Sequence, residues 1–349
     1  MTAALAVDPG VLPGARRRLD RRWLGLVGLV LGLAALAFLS LAVGSRGSST
    51  TAAWRVLTAF DPTDTDQLVI ADLRVPRTLL GLLAGAALGL AGTLLQGVTR
   101  NPLADPGILG VNAGAALCVV IGITVFGVTG TSGYLWFAFA GAGGAALVVY
   151  AVAARGRDGA TPVKLALAGA AVSAGCVAVT TSFLLVDRAT FDQFRFWQVG
   201  ALSGRGGEAV AAVAPFLLVG CVAALLLGRV LNTLALGDDV ARGLGANVGL
   251  SRGLGAVTVV LLCGGATAAC GPIGFVGLTI PHLARMLVGP DYRWVLPYAM
   301  VLAPGLLLAA DVLGRVVARP GEVQVGIVTA LVGAPVFIAL VRRSRVAGL

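Results

Sequence analysis

Residues 74–115 read RVPRTLLGLLAGAALGLAGTLLQGVTRNPLADPGILGVNAGA. After Arg77 the chain carries no charge until Arg100. An uncharged helical run of about 20 residues, at 1.5 Å per residue, matches the ~30 Å hydrocarbon core of a bilayer. Gly81, Gly85 and Gly89 recur at every fourth position of this run, so one face has no side chains and neighbouring backbones can approach it closely. RNPLADPG, from Arg100 to Gly107, then makes a turn: Pro102 and Pro106 fix the backbone, and Asn101 and Asp105 suit turn hydrogen bonds. A second apolar run follows at once, giving span, turn and span.

The same alternation continues along the chain. Ten membrane-buried segments are expected, at Trp23–Val43, Thr78–Val98, Ile108–Phe126, Leu135–Val152, Val163–Leu185, Ala209–Leu231, Gly253–Ala269, Val276–Val288, Val295–Val316 and Val323–Val341. The eighth is shorter than the usual ~17 to 25 residues and reads as a tilted or partly embedded helix. Of 349 residues 58% are hydrophobic and only 12% charged, against roughly 25% charged in soluble domains. The fold class is therefore all-α, a polytopic transmembrane bundle. Residues 1–22 and 344–349 form short tails around the 23–343 transmembrane domain, and a polar loop occupies about 232–252.

With both termini in the cytoplasm, Arg46, Arg55, Arg74, Arg77, Arg188, Arg195, Arg205, Arg315 and Arg319 fall outside, and the larger remainder of the 26 basic residues falls inside, the positive-inside sign. The basic residues preceding Trp23 lead into a first span rather than a cleaved signal peptide. The net charge of +10 is scattered over short loops, which speaks for a lipid surface and against nucleic acid. No phosphate-binding G-x-x-x-x-G-K-[ST] motif exists and Lys164 is the single lysine, so the chain is not itself an ATPase. Cys118, Cys176, Cys221, Cys263 and Cys270 lie apart in apolar stretches, and the lone His282 is read as a structural hydrogen-bonded side chain. No metal site, cofactor or catalytic residue is expected. Asp311 is the one carboxylate well inside a span, four residues before Arg315 on one helix face. Its position fits either a bundle-stabilising pair or a functional site in a water-filled cavity.

The 74–115 stretch resembles the segment that opens the second span of FecCD-type permeases, the BtuC-like membrane subunits of iron-siderophore, haem and cobalamin ABC importers. FWQVGALSG (196–204), LALGDDVARGLGANV (234–248), GPIGFVGLTIPHLARMLVGPDYR (271–293) and EVQVGIVTALVGAPVFIALVRR (322–343) match in the family's order. The resemblance implies a type II ABC importer permease in the cell's inner or plasma membrane. Its implied partners are a second permease subunit, identical or related, a cytoplasmic ABC ATPase dimer and an extracytoplasmic binding protein. Cargo would be a ferric siderophore, with cobalamin and haem as alternatives.

By the same resemblance, Arg74, Arg77 and Arg315, with Arg319 competing for the last place, would pair with acidic residues of the binding protein. The loop holding Gly237, Asp238, Asp239, Arg242, Leu244 and Gly245 would form coupling helices on the ATPase. Read from the residues alone, Asp238 or Asp239 can cap a short helix, Gly245 can end it, and Val240 with Leu244 gives it an apolar face. Phe196 and Trp197, among Arg188, Arg195 and Arg205, belong either to a headgroup belt or, as in the family, to an outer gate. An ion-coupled secondary carrier is the competing reading. A membrane-embedded enzyme would need catalytic residues gathered at one depth, and none are evident.

Overall fold

The computed structural model describes residues 13–44, 50–128, 130–155 and 161–346. The 1–12 and 347–349 parts of the expected tails, together with Arg46 and Arg157, lie outside the described residues. Helix α1 (Pro13–Ala42) already includes the basic residues before Trp23, so that part of the expected tail is continuous with the first span. Two short helices follow, α2 (Thr50–Thr58) and α3 (Thr65–Val69), the latter capped by Asp64, which accepts from Asp66 N at 2.9 Å. A π-helical turn, Ile70–Arg74, leads into α4 (Val75–Thr99). The remaining helices are α5 (Val111–Phe126), α6 (Thr131–Ala153), α7 (Pro162–Val186), α8 (Arg188–Gln198), α9 (Gly207–Leu226), α10 (Gly228–Ala235), α11 (Asp238–Gly243), α12 (Val248–Cys270), α13 (Val276–Val288), α14 (Tyr292–Val317) and α15 (Val325–Val346).

Among the described residues seven helices are long and apolar enough to cross a membrane, and α5, α13 and α15 supply shorter apolar ones. These match the ten expected segments. Two differ in form. The third span is broken, because Gly110 takes a left-handed φ of 71° after a 3-10 turn begun at Pro106. The sixth ends at Leu226, and the chain turns at Leu227–Gly228 into α10, whose Gly228 lies against Tyr292 and Leu296 of α14.

The two extremes of burial fix the architecture. In α4, 83% of the apolar window is buried, whereas in α1 and α7 only 11% is. The α4 helix is thus the axis of the bundle, wrapped by α9, α12, α13 and α14. Its glycine stripe makes this possible: a Cβ on Gly85 would lie 2.5 Å from Pro304 Cα, and one on Gly89 2.5 Å from the Ala303 methyl. Gly92 continues the contact onto the backbone of Gly277 in α13. Apolar runs get no hydrophobic advantage from helix contact in lipid, so van der Waals approach of this kind holds such a bundle together. By contrast α7 packs only on one side, against α5, α6 and α8, and leaves Leu167, Val177 and Leu185 exposed.

Candidate functional site

Three polar or irregular places interrupt the apolar bundle. The first lies where α4 begins and α14 ends. Asp311, 1% exposed, receives the Arg77 fork at 2.8–3.1 Å and Arg315 Nη2 at 2.6 Å. Arg77 Nη1 also donates to Glu322 at 2.7 Å. Arg315 reaches across to the C-terminal end of α1, donating to the carbonyls of Ser40 (2.8 Å) and Val43 (2.7 Å) and to Ser40 Oγ (2.7 Å). Arg74 similarly donates to the carbonyls of Leu41 and Ala42. A helix end leaves carbonyls unsatisfied, and these two guanidinium groups satisfy those of α1.

This geometry bears on the expectation for the arginines. Arg74 and Arg315 are 7% and 1% exposed, so neither offers a free guanidinium to another protein. Arg74 donates to α1 through Nη1, and Arg315 donates to α1 and Asp311 through Nη1 and Nη2. Arg77 lies at the rim beside the quarter-exposed Glu322, and Arg319 is exposed, donating to Gly44 O at 3.1 Å. Asp311 is shared by two arginines rather than paired with Arg315 alone. Arg77 meets Asp311 and Glu322 across 234 and 245 positions, and no local sequence signal announces either contact.

The second place is at the same end, where three of the quoted sequence blocks converge. Helix α8 is capped by Asp187, which accepts from Ala189 N at 2.9 Å and Thr190 Oγ1 at 2.6 Å. These hydrogen bonds, the one from the Thr190 hydroxyl foremost, hold the Asp187 carboxyl below its ordinary value. Beyond α8, Gly200, Gly271 and Gly326 meet: Gly326 N donates to Gly200 O at 3.0 Å, and Ala201 N to Cys270 O at 2.7 Å. A side chain on Gly200, Gly271 or Gly326 would strike the carbonyls of Pro272, Trp197 and Val199 respectively. Phe196 and Trp197 do not act alike. Successive helical residues point about 100° apart, so Phe196 is 64% exposed while Trp197 is 2% exposed and packs on Phe194 with ring centroids 5.8 Å apart. Trp197 anchors α8; Phe196, with Arg195 stacked over its ring, is the one available at the surface.

The third place is at the opposite end of α4. Helix α11 starts after Gly237, whose φ is 101° and which makes no side-chain cap. Asp238 and Asp239 are the first two helical residues instead, where a negative charge favours the helix dipole. Asp238 is occupied by two arginines: Arg100 Nη2 donates to it at 2.7 Å and Arg252 Nη2 at 3.0 Å. Asp239 receives Arg242 at 2.9 Å. Gly245, at φ +82°, follows the last turn as expected. Ala241 is fully buried, while Val240 and Leu244 are 52% and 66% exposed. Arg100 was the residue missed by sequence reasoning, which gave RNPLADPG a turn role alone; the turn also holds α11.

Nearby, Gln96 of α4 donates to the carbonyls of Gly277 and Leu278 and accepts from Arg285, tying α13 to the axis. Asp291 caps α14 and accepts from Asn232 of α10 at 2.6 Å and from Arg293. Arg293 first, then Asn232, lowers the Asp291 carboxyl from 3.8 to about 2. His282 Nδ1 lies 3.1 Å from Leu278 O, within its own helix. Among the described residues no group of three or more His, Cys, Asp or Glu side chains is placed to hold a metal ion.

Comparison with known proteins agrees with this arrangement. The FecCD transport family model matches residues 32–343. The chain is 46% identical to the ferric enterobactin transport system permease protein FepD of Escherichia coli (strain K12), over 92% of this chain and 96% of that one. It is 40% identical to the siderophore transport system permease protein YfiZ of Bacillus subtilis (strain 168), over 94% and 98%. A solved metal-chelate type ABC transporter in an inward-facing conformation superposes with a TM-score of 0.81 at 31% identity, covering 91% of this chain and 98% of that chain. A glycine-lined axial helix, a glycine junction at one end and a short exposed helix at the other are thus carried by a protein that belongs to the FecCD transport family.

Proposed function

We propose that this chain is the pathway-forming permease subunit of an ATP-driven importer for ferric siderophores or a related metal chelate. The end bearing α11 faces the cytoplasm, with both termini, and the end bearing Asp311 faces outward. The single observation that carries the reading is α11 itself. It is a six-residue helix pinned to the bundle through Asp238 and Ala241, and it presents Val240 and Leu244 to solvent. An isolated helix of this length has no stability of its own, so its exposed apolar pair is held in place from below. That is a surface for a partner, here the ATPase, and Arg100 and Arg252 carry its displacement into α4 and α12.

On the outer side, docking of a binding protein is proposed at the rim, through Arg77, Glu322 and Arg319, with Arg74 and Arg315 holding α1 and α14 beneath it. The weakly buried α7 supplies an apolar face for the second permease subunit. Phe196 and the glycine junction form the outer gate, where backbones rather than side chains must part. A permease of this kind performs no covalent chemistry. Its two partners act by differential affinity for outward-open and inward-open states.

The test is uptake of a ferric siderophore into liposomes holding this chain with its candidate ATPase and binding protein. Val240→Asp with Leu244→Asp should abolish ATP-dependent uptake while the protein remains folded and monodisperse. Uptake by the chain alone, driven by an ion gradient and indifferent to that double change, would establish the ion-coupled carrier instead.

A further inference from the structure

A cavity of about 490 Å³ opens beside α11, between α4, α6 and α12. Its deep wall is aliphatic, with Leu95, Val98, Ala146 and Val259, and its mouth holds Arg242, Arg252 and Tyr150. A second cavity of about 260 Å³ shares Ala146, Tyr150, Ala256 and Val260 with the first and continues along the α6–α12 groove to Leu147 and Val257. Those two side chains are 68% and 67% exposed, so the groove is open sideways. Gly143 and Gly253 border it, and a Cβ on either meets no atom within 4 Å.

We propose that this groove seats an anionic phospholipid, its phosphate between Arg242 and Arg252 and one acyl chain along α6 and α12. The charge balance selects the sign of the headgroup. Arg100, Arg242 and Arg252 share Asp238 and Asp239, three cations on two carboxylates, and Arg155 adjoins the lining residue Ala154. Asp238 takes one nitrogen of Arg252, and Asp239 one of Arg242, out of the five donors of each guanidinium. Oxygens of a phosphate diester are suited to the donors that remain. Basic pockets between membrane helices bind anionic headgroups by this chemistry. The groove's shape selects the rest of the molecule: a narrow aliphatic trough open to the bilayer and topped by cations matches one lipid. A phosphate there joins α11, through Arg242, to the first turn of α12, through Arg252. The lipid thereby stiffens the place where the proposed ATPase contact enters the bundle, a property separable from transport itself.

The experiment uses the purified full chain without ATPase, equilibrated with equal amounts of phosphatidylglycerol and phosphatidylcholine, with retained lipid counted by native mass spectrometry. The wild type should retain phosphatidylglycerol over phosphatidylcholine by about thirtyfold, the scale set by two arginines at a membrane surface. Arg242→Gln with Arg252→Gln should bring that ratio to about one. Gly143→Leu, which fills open space and leaves the arginines intact, should lower retention of both lipids. Equal retention of the two lipids by the wild type, or an unchanged ratio in the double glutamine variant, would overturn the proposal. So would Gly143→Leu that reduces self-association with lipid retention unchanged, since the groove would then belong to a second copy of the chain.

Discussion

Arg77 and Arg315 meet Asp311 where the carboxylate is 1% exposed, whereas Arg100 and Arg252 meet Asp238 where it is 24% exposed. Both ends of the bundle therefore use the same unit, two arginines on one aspartate, and water separates their consequences. At the Asp311 end each charge has been stripped of solvent, so removing one partner strands the others in an apolar surrounding. At the Asp238 end solvent screens the pair, and losing a partner costs little folding energy. The first arrangement is suited to holding three helices in one relation. The second can open and re-form as α11 moves.

The largest effect should come from breaking the buried unit. Asp311→Ala should destabilise the protein by about 3–5 kcal/mol, read as a large fall in thermal midpoint in detergent. Replacing Arg315 by Met in the same chain should return part of that loss, since one of the two arginine charges that lost Asp311 is then gone. A loss under about 1 kcal/mol would break the comparison by placing water at Asp311.

Next in size is the glycine contact that fixes the axis. Gly85→Leu must push Pro304 away and should cost about 1–3 kcal/mol or more. Gly143→Ala, facing open space, should shift the midpoint hardly at all. Equal effects of the two would remove the distinction between axis and periphery.

At the solvated end, Asp238→Ala should cost about 1 kcal/mol or less in stability yet strongly reduce ATP-dependent uptake. The ratio of transport loss to stability loss is the quantity that sharpens the contrast with Asp311. The Asp239–Arg242 pair, 99% and 61% exposed, should contribute under about 0.5 kcal/mol. Asp239→Ala should leave the midpoint unchanged and is the smallest structural effect expected.

A pH scan tests the same idea on Asp291. Its folded value, about 2, lies below the ordinary 3.8 because of Arg293 and Asn232. The native state therefore binds that proton less readily than the unfolded one, and the stabilisation is fully present above about pH 4. It should be lost as pH falls toward 2. In Asn232→Ala, which removes one of those donors, the acid-induced loss should be smaller. The measurement is the thermal midpoint across that window.

Much of the bundle could be read directly. Trp23–Val43 and Thr78–Val98 are apolar over lengths that only helices in lipid satisfy, and their helices lie where expected; the shorter Val276–Val288 forms a helix with identical bounds. The G-x-x-x-G spacing of Gly81, Gly85 and Gly89 announced close packing, and α14 fills that face. The break at Gly110 and the turn at Leu227–Gly228 were not legible, because hydropathy is continuous across both. In the polar places, residue types were legible and partners were not. Asp311 and Arg315 share a helix face by their spacing of four, but Arg77 joins them only through the packing of α4 on α14. Likewise Gly237 rather than an aspartate precedes α11, because Asp238 is drawn to Arg100 and Arg252 from other parts of the chain.

The sequence by itself determined that this protein lies in a membrane, how many times it presents an apolar helix, which helix can be approached closely, and which family motifs it carries. Those properties are local: they depend on the composition of about 20 consecutive residues, or on spacing within one helix. The tertiary structure alone decided which arginines are free. Arg74 and Arg315 are consumed by the carbonyls at the end of α1, while Val240 and Leu244 stay bare. A guanidinium has the same charge wherever it stands, and its availability is set by the acceptors that folding brings within about 3 Å of it.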